Sequence, residues 1–237
     1  MPFRFEPIVD LRSGASLGHE LLAGRTHCAE RTDREWAAWY ALLPEIVNTQ
    51  APQGGQIFVN ASGGQLAESA IVDALCAIHD RHRVVIEWTE HVAPGVSTRL
   101  VVDAAVEMLS VLRKLGFRVA IDDVGSGLDG ILRVIETSPE FVKLDMKLLH
   151  YARDNKRATD LLRDLRVLFQ NLGACVIAEG IETAFDLALV KQSGIVLGQG
   201  WFFLPDAKSN RLGVRPASFS SLALPCASRP HAVPEVF

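Results

Sequence analysis

The feature that most constrains the fold of this chain is a series of short apolar runs separated by longer segments of helical periodicity. The runs read IFVN, VVIEW, RVAID, FVKLD, CVIAE and IVLGQ, in that order. Such runs are typical of strands buried on both faces of a parallel sheet. The segments 100–115 and 161–172 space their apolar residues about 3.6 apart, which predicts covering helices, and Gly173 is a typical helix stop.

The start of the chain has a different pattern. Residues 3–11 and 16–22 are apolar-rich and flank Arg12-Ser13-Gly14, which predicts an antiparallel hairpin. The hairpin and the βα units together predict an α/β fold, a TIM-like (β/α)8 barrel with an antiparallel first strand. Such a barrel needs roughly 250 residues, so we expect a single core in this chain of 237.

We assign the barrel to residues 1–205 and a separate tail to residues 206–237. The tail is rich in Ala and Ser, loses the periodicity and contains Pro216, Pro225 and Pro230, which predicts a surface wrap or disorder. The first predicted strand begins within a few residues of Met1. We therefore expect a stand-alone domain, whose regulation would come from a protein partner or from oligomerisation.

Composition excludes several classes of function. The formal net charge is −4, with 24 basic and 28 acidic residues interspersed, so we expect no binding to long nucleic acid. The four cysteines form no metal-binding or disulfide pattern, which favours reduced thiols. No apolar run reaches the roughly 18 residues of a membrane span. We expect a cytoplasmic protein with no membrane insertion.

Polar residues stand at or just after the carboxyl ends of the apolar runs. In a β/α barrel these ends converge on one face, where active sites lie. Several carboxylates together in an apolar surrounding need positive charge, and hard oxygen ligands favour Mg²⁺ or Mn²⁺. The residues at these positions, with one on the hairpin, are Glu20, Asn60, Glu87, Asp122, Asp123, Asp145 and Glu179.

Each of these residues also has a structural interpretation. A single acidic residue after a strand is more often a helix N-cap or a solvated loop residue than a catalytic group. Asp145 and Glu182 best fit such a structural role, and Lys143 could snorkel from a strand end. Adjacent Asp122 and Asp123 suggest a shared two-metal site, where Lys143 could offset negative charge.

The ordered set of motifs resembles the EAL family of cyclic-di-GMP phosphodiesterases, from about Phe5 to Pro205. Glu20-Leu21-Leu22 stands where the signature Glu-Ala-Leu normally lies. The other similar segments are EPIVDLRSGASLGHELL, FVNAS, IEWTE, AIDDVGSG, VKLD, AEGIET and LGQGWFFLP. The resemblance implies hydrolysis of cyclic-di-GMP to linear pGpG by in-line attack of water, with two Mg²⁺ or Mn²⁺ ions as cofactors and a homodimer as the assembly.

The resemblance also implies roles for individual residues. Glu20, Asn60, Glu87 and Asp122 would surround one metal, and Asp122 with Asp123 would serve the second. In catalysis, Glu179 would orient or deprotonate the attacking water, and Lys143 would stabilise that water. Glu20 is the third residue of the implied catalytic set. The implied substrate-binding residues are Leu22, Arg25, Glu182 and Gln199, and Glu90 would brace the loop after Asp123.

Two departures from the family pattern leave alternatives open. Gly24 stands where the family has an arginine, with Arg25 one place later, and the loop 124–130 reads VGSGLDG in place of FGTGYSS. An active hydrolase is favoured because every expected carboxylate is present. The alternatives are a cyclic-di-GMP receptor that scarcely cleaves its ligand, and a protein-interaction module with a vestigial site.

Overall fold

The structure is a computed structural model that describes residues 2–24, 32–89, 98–125 and 130–204. Eight strands form a closed barrel in sequence order, which confirms the predicted fold class. The strands are β1 (Phe3–Asp10), β2 (Ser16–Ala23), β3 (Gln56–Ser62), β4 (Val84–Thr89), β5 (Arg118–Val124), β6 (Phe141–Leu144), β7 (Cys175–Ala178) and β8 (Leu197–Gln199).

The direction of β1 is the exception in an otherwise parallel barrel. β1 is antiparallel to both of its neighbours, β2 and β8, and the remaining neighbours are parallel. The predicted hairpin and its antiparallel first strand are therefore confirmed. Because β1 runs against the others, its first residues lie at the face where the other strands end, and Glu6 is paired in register with Glu20.

Helices connect the strands and cover the outside of the barrel. The helices predicted over 100–115 and 161–172 are confirmed by α4 (Thr98–Lys114) and α7 (Lys156–Asn171), which each end one residue earlier than predicted. Gly173, two residues after α7, has a φ of 90°. The α-helices in the described ranges are α1 (Asp33–Glu45), α2 (Gly63–Leu66), α3 (Ser69–Cys76), α4 (Thr98–Lys114), α5 (Gly130–Thr137), α6 (Met146–Ala152), α7 (Lys156–Asn171) and α8 (Ala184–Gln192). Of the helices in the described ranges, none combines the length and apolarity required to span a membrane.

The apolar core has two parts. The larger part lies between the strands and the helices. The smaller part, which we call the apolar plug, fills the interior of the barrel, where the rings of Phe58 and Phe141 meet edge to face with centroids 5.2 Å apart. The plug consists of Ile8, Leu17, Phe58, Val85, Ala120, Phe141, Cys175, Ile177 and Leu197.

Several sequence predictions fall outside the described residues. These are the tail 206–237, Arg25, Glu90, most of the loop after Asp123, and the cysteines at positions 28 and 226. The other two cysteines, Cys76 and Cys175, are free thiols, as predicted.

Candidate active site

A layer of polar side chains lies next to the apolar plug at the carboxyl-end face of the barrel. Side chains two residues apart on a strand point to the same side, and in every strand but β2 the polar residue stands two positions from a plug residue. On antiparallel β1 the polar residue precedes the plug residue in sequence, and on the other strands the polar residue follows the plug residue. We call this layer the polar ring, and it consists of Glu6, Glu20, Asn60, Glu87, Asp122, Lys143, Glu179 and Gln199.

Lys143 lies among four carboxylates of the polar ring and is only 1% exposed. Its Nζ is 2.7 Å from Glu179 Oε1 and 3.1 Å from Glu20 Oε2. It is also 3.2 Å from Glu87 Oε1 and 3.4 Å from Asp122 Oδ1. Burial alone would lower the pKa of Lys143, but these negative charges raise it well above its usual value. The alternative of a snorkelling lysine is therefore wrong, because the strand directs this side chain into the barrel.

Glu20 is held in its ionised form by three donors. Its carboxylate accepts hydrogen bonds from Asn60 Nδ2 at 2.6 Å, Gln199 Nε2 at 2.6 Å and Lys143 Nζ at 3.1 Å. Burial opposes ionisation, but the charge of Lys143 and the hydrogen bonds outweigh it and lower the pKa of Glu20 to about 2. Glu20 therefore offers a fixed, charged pair of oxygens.

The other three carboxylates around Lys143 are short of positive charge. Burial, and then repulsion from Glu20, raise the pKa of Glu87 well above its usual value, and burial raises that of Asp122. Burial, with the charges of Asp122 and Glu20, raises the pKa of Glu179 to about 8 despite its contact with Lys143. Glu87 Oε1 and Asp122 Oδ1 are buried and lie near the Lys143 ammonium, but neither accepts a well-directed hydrogen bond. Four carboxylates share one ammonium, so additional cations would be stabilised here.

Three carboxylates form a cluster that could hold a metal ion. Asp122, Asp123 and Glu179 each offer an oxygen within 4.8 Å of the others. Neighbouring residues on a strand normally point to opposite faces, but Asp123 has a φ of 55° and the β5–β6 register breaks between Ile121 and Val124. This irregularity brings two adjacent carboxylates to one place. Oxygen donors of this kind suit hard divalent cations.

The family model of the EAL domain matches residues 1–206 of this chain. The chain belongs to the EAL domain family.

Relatives of this EAL domain include enzymes named for cyclic-di-GMP. The probable cyclic di-GMP phosphodiesterase PdeG of Escherichia coli (strain K12) is 25% identical over 227 residues, which cover 86% of this chain and 44% of PdeG. The EAL-domain containing protein YkuI of Bacillus subtilis (strain 168) is 27% identical over 128 residues, which cover 54% of this chain and 30% of YkuI. The chain thus spans less than half the length of these curated relatives.

Solved structures of EAL proteins share the fold. A standalone versatile EAL protein from Vibrio cholerae O395, in its c-di-GMP bound form, superimposes with a TM-score of 0.68 at 21% identity, covering 84% of this chain and 89% of that one. The EAL domain of Mycobacterium smegmatis DcpA gives a TM-score of 0.67 at 22% identity, covering 85% and 88%. At these identities the similarity supports the barrel fold.

Some predicted residues of this EAL domain lie away from Lys143. The Asp145 side chain accepts from Lys147 N at 2.7 Å and caps α6, as its structural interpretation predicted. Glu182 pairs with Arg153 at 3.0 Å, and Arg153 also binds buried Asp186 at 2.8 Å. Leu22 is half-buried near the end of β2.

Two residues of the site were missed by the sequence analysis. Glu6 is 8% exposed, and burial and the charge of Glu20 raise its pKa, although Gln199 opposes this rise. The missed signal was strand direction, because an antiparallel strand reaches this face with its amino end. Arg133 of α5 is 3% exposed and donates to the carbonyls of Trp88 and Asp122. A single arginine in an amphipathic helix has no sequence signal for such a role.

Proposed function

We propose that this EAL domain is a metal-dependent phosphodiesterase that hydrolyses cyclic-di-GMP to linear pGpG. The observation that carries the proposal is the set of four carboxylates, Glu20, Glu87, Asp122 and Glu179, around buried Lys143. The names of relatives such as PdeG support the same reaction and substrate.

The donor set of the polar ring fits divalent metal ions. Glu20, Asn60, Glu87 and Asp122 would hold one ion, and Asp122 with Asp123 would hold the second. Glu87 Oε1 and Asp122 Oδ1 are buried and share the one ammonium of Lys143 with two other carboxylates, which supports this assignment. The all-oxygen ligand set also supports it, because it suits Mg²⁺ or Mn²⁺. When bound, two such ions lower the pKa of water and polarise the phosphoryl oxygens.

Glu179 is the best candidate to accept a proton from the attacking water. Burial raises the pKa of Glu179, which makes its carboxylate more basic than an exposed one, and bound cations would bring that pKa down again. Lys143 lies 2.7 Å from Glu179 and would orient it while keeping its own proton. In this reaction water forms one new P–O bond and one ester P–O bond breaks, which opens the cyclic dinucleotide.

The substrate would lie over the polar ring, at the open face of the barrel. We assign its binding to Leu22, Arg25, Glu182 and Gln199, with Glu90 bracing the loop after Asp123. Glu182 is fixed by Arg153, and Gln199 is held by Glu20. The homodimer, the regulatory partner and the cytoplasmic location belong to the same proposal, and they rest on the resemblance and on composition.

A cyclic-di-GMP receptor is the second candidate function. It is favoured by Gly24, which replaces the arginine of the family pattern and has a φ of 68°. Its carbonyl accepts a hydrogen bond from Arg4 Nη1 at 3.2 Å. Without an arginine at this position, the phosphate would be held less firmly.

The deciding experiment is hydrolysis of cyclic-di-GMP by the purified chain with Mg²⁺ and with Mn²⁺, with pGpG resolved by chromatography. We expect product from the wild type and a rate at least about 100-fold lower for Glu20→Ala, because that substitution removes a ligand and the partner of Lys143. Glu107→Ala on the exposed face of α4 is the matched control and should leave the rate unchanged.

Other outcomes of this experiment have distinct meanings. Nucleotide binding without product from the wild type would replace the phosphodiesterase with a receptor. Absence of both nucleotide and metal binding would leave the protein-interaction module.

A further inference from the structure

We infer that Arg133 is a positioning residue that holds the Asp122–Asp123 bulge in the shape that binds divalent cations. This inference rests on the proposed function, because it assumes that these carboxylates are metal ligands. Arg133 lies on α5 and would act through two backbone carbonyls.

Arg133 connects the ends of two neighbouring strands from outside the barrel. Its Nη1 donates to the carbonyl of Trp88 on β4 at 3.0 Å, and its Nη2 donates to the carbonyl of Asp122 on β5 at 3.2 Å. The guanidinium also lies over the Trp88 ring, 5.3 Å from the centroid. Both carbonyls belong to the site, since Trp88 directly follows Glu87. One planar, two-pronged donor therefore sets the spacing of two ligand-bearing strand ends.

The segment that Arg133 holds is irregular. Pairing of β5 with β6 joins Ile121 to Val142 and then Val124 to Leu144, so Asp122 and Asp123 together oppose Lys143 alone. This is a β-bulge, and bulges next to active sites re-aim side chains. Asp123 has a φ of 55°, a left-handed conformation that costs a non-glycine residue about 1–3 kcal/mol unless its surroundings impose it. The hydrogen bond from Arg133 to the Asp122 carbonyl helps to hold the Asp123 backbone in this conformation.

The bulge is what brings the ligands together. In a regular strand Asp122 and Asp123 would point to opposite faces. In the bulge their oxygens lie within 4.8 Å of each other and of Glu179. Loss of the Arg133 anchor should therefore weaken metal binding although no ligand is changed.

The test is Mn²⁺ binding to the purified chain without nucleotide, followed by electron paramagnetic resonance of free Mn²⁺ and by calorimetry. Arg133→Met keeps an apolar stem and removes both donors, and we expect its Mn²⁺ affinity to fall about 10- to 100-fold, as for other supports of metal ligands. Arg133→Lys keeps the positive charge but cannot bridge the two carbonyls in the same way, so its affinity should lie between those of the wild type and Arg133→Met.

Arg83→Met is the matched control. Arg83 also donates to three backbone carbonyls, those of Gly55 at 2.9 Å, Pro52 at 2.7 Å and Gly54 at 2.9 Å, but it directly precedes β4 at the opposite end of the barrel. Its removal should lower the melting temperature while leaving Mn²⁺ affinity within about twofold of the wild type, because the loss is remote from the ligands.

Each outcome is decisive. Equal losses of Mn²⁺ affinity in Arg133→Met and Arg83→Met would show that Arg133 only stabilises the fold, and would overturn the inference. Should Arg133→Met fail to fold, wild-type affinity in Arg133→Lys would overturn it in the same way. If Arg133→Met binds Mn²⁺ as tightly as the wild type, the inference about Arg133 is overturned and the proposed function stands. If the wild type itself binds no Mn²⁺, both the inference and the proposed function are overturned.

Discussion

Glu20 and Glu179 show how two carboxylates of one ring acquire opposite properties. Both contact Lys143, but Glu20 also receives hydrogen bonds from Asn60 and Gln199, and its pKa falls to about 2. Glu179 has less support of this kind, and burial raises its pKa to about 8. Carboxylates whose pKa values are pushed apart in this way commonly divide the work of a site. Here the properties of Glu20 suit the role of a metal ligand, and those of Glu179 suit the role of a proton acceptor.

Lys143→Met tests the role of the common counter-ion. We expect the metal-free variant to lose about 3–5 kcal/mol of unfolding free energy, because removal of the ammonium leaves buried carboxylates uncompensated. Urea denaturation in a chelator measures this loss. Lys147→Met is the control: the Lys147 side chain is 73% exposed and 3.7 Å from Asp145, so its loss should change the free energy by less than about 0.5 kcal/mol. Equal stabilities of the two variants would contradict this account of Lys143.

Among the secondary-structure elements, two irregular features of the barrel bring side chains to the site that regular parallel strands would not place there. The reversed β1 brings Glu6 beside Glu20, and the bulge in β5 aims Asp123 toward Glu179. The turn after β7 is restricted in the residue type that it can accept. Gly180 has a φ of 70°, and a Cβ there would collide with the Cβ of Met146 at the start of α6. Glu179 is therefore followed by a position that only glycine fits.

The losses of unfolding free energy in Gly180→Ala and Gly14→Ala can be compared to separate the cost of backbone strain from the cost of a steric collision with Met146. Gly14 has a similar φ of 74°, but no atom lies within 4 Å of the position that a Cβ would take, so its substitution should cost about 1 kcal/mol from backbone strain. Gly180→Ala adds the collision with Met146 and should cost about 2–4 kcal/mol, with a further loss of hydrolysis because Glu179 moves. Chemical denaturation of both variants measures the difference, and equal costs would show that the contact with Met146 is unimportant.

At the scale of the whole molecule, the barrel separates an apolar interior from a charged mouth. The apolar plug fills the inside of the barrel, and the polar ring lies on it at one end only. Five carboxylates and one ammonium of the polar ring are thereby kept partly out of water, which opposes folding unless cations bind. Metal binding and stability should consequently be linked.

Thermal unfolding with and without Mn²⁺ tests this linkage. An ion that binds only the folded chain adds about 2.7 kcal/mol at 100 times its dissociation constant, which corresponds to a rise in Tm of roughly 5–10 °C for a chain of this size. Chelation should reverse the rise, and Asp122→Asn should abolish most of it. Asp164→Asn, on the exposed face of α7, should retain the full shift. A Tm that does not respond to Mn²⁺ would contradict a metal site in the polar ring.

The barrel and most of its polar ring could be predicted from the amino-acid sequence. Apolar runs of strand length that alternate with helical segments indicate a parallel sheet covered on both sides, and in a barrel the polar residues at the ends of the runs then meet at one face. Asn60, Glu87, Asp122 and Glu179 were found on that basis, together with Glu20 on the hairpin. For β6 the same rule selected Asp145, which caps α6, whereas Lys143 was named only as a nearby positive charge. Gln199 and the roles of single residues came from the resemblance to the family.

The charge state of the ring and the residues that support it depend on contacts that exist only in the folded barrel. The central position of Lys143 depends on distances to four strands, and no local pattern reports such distances. Glu6 depends on the reversal of β1, and Arg133 depends on the packing of α5 over the ends of β4 and β5. Periodicity specifies which face of an element is buried, whereas pKa values and anchoring contacts arise from groups far apart in the chain, which meet only when the barrel closes.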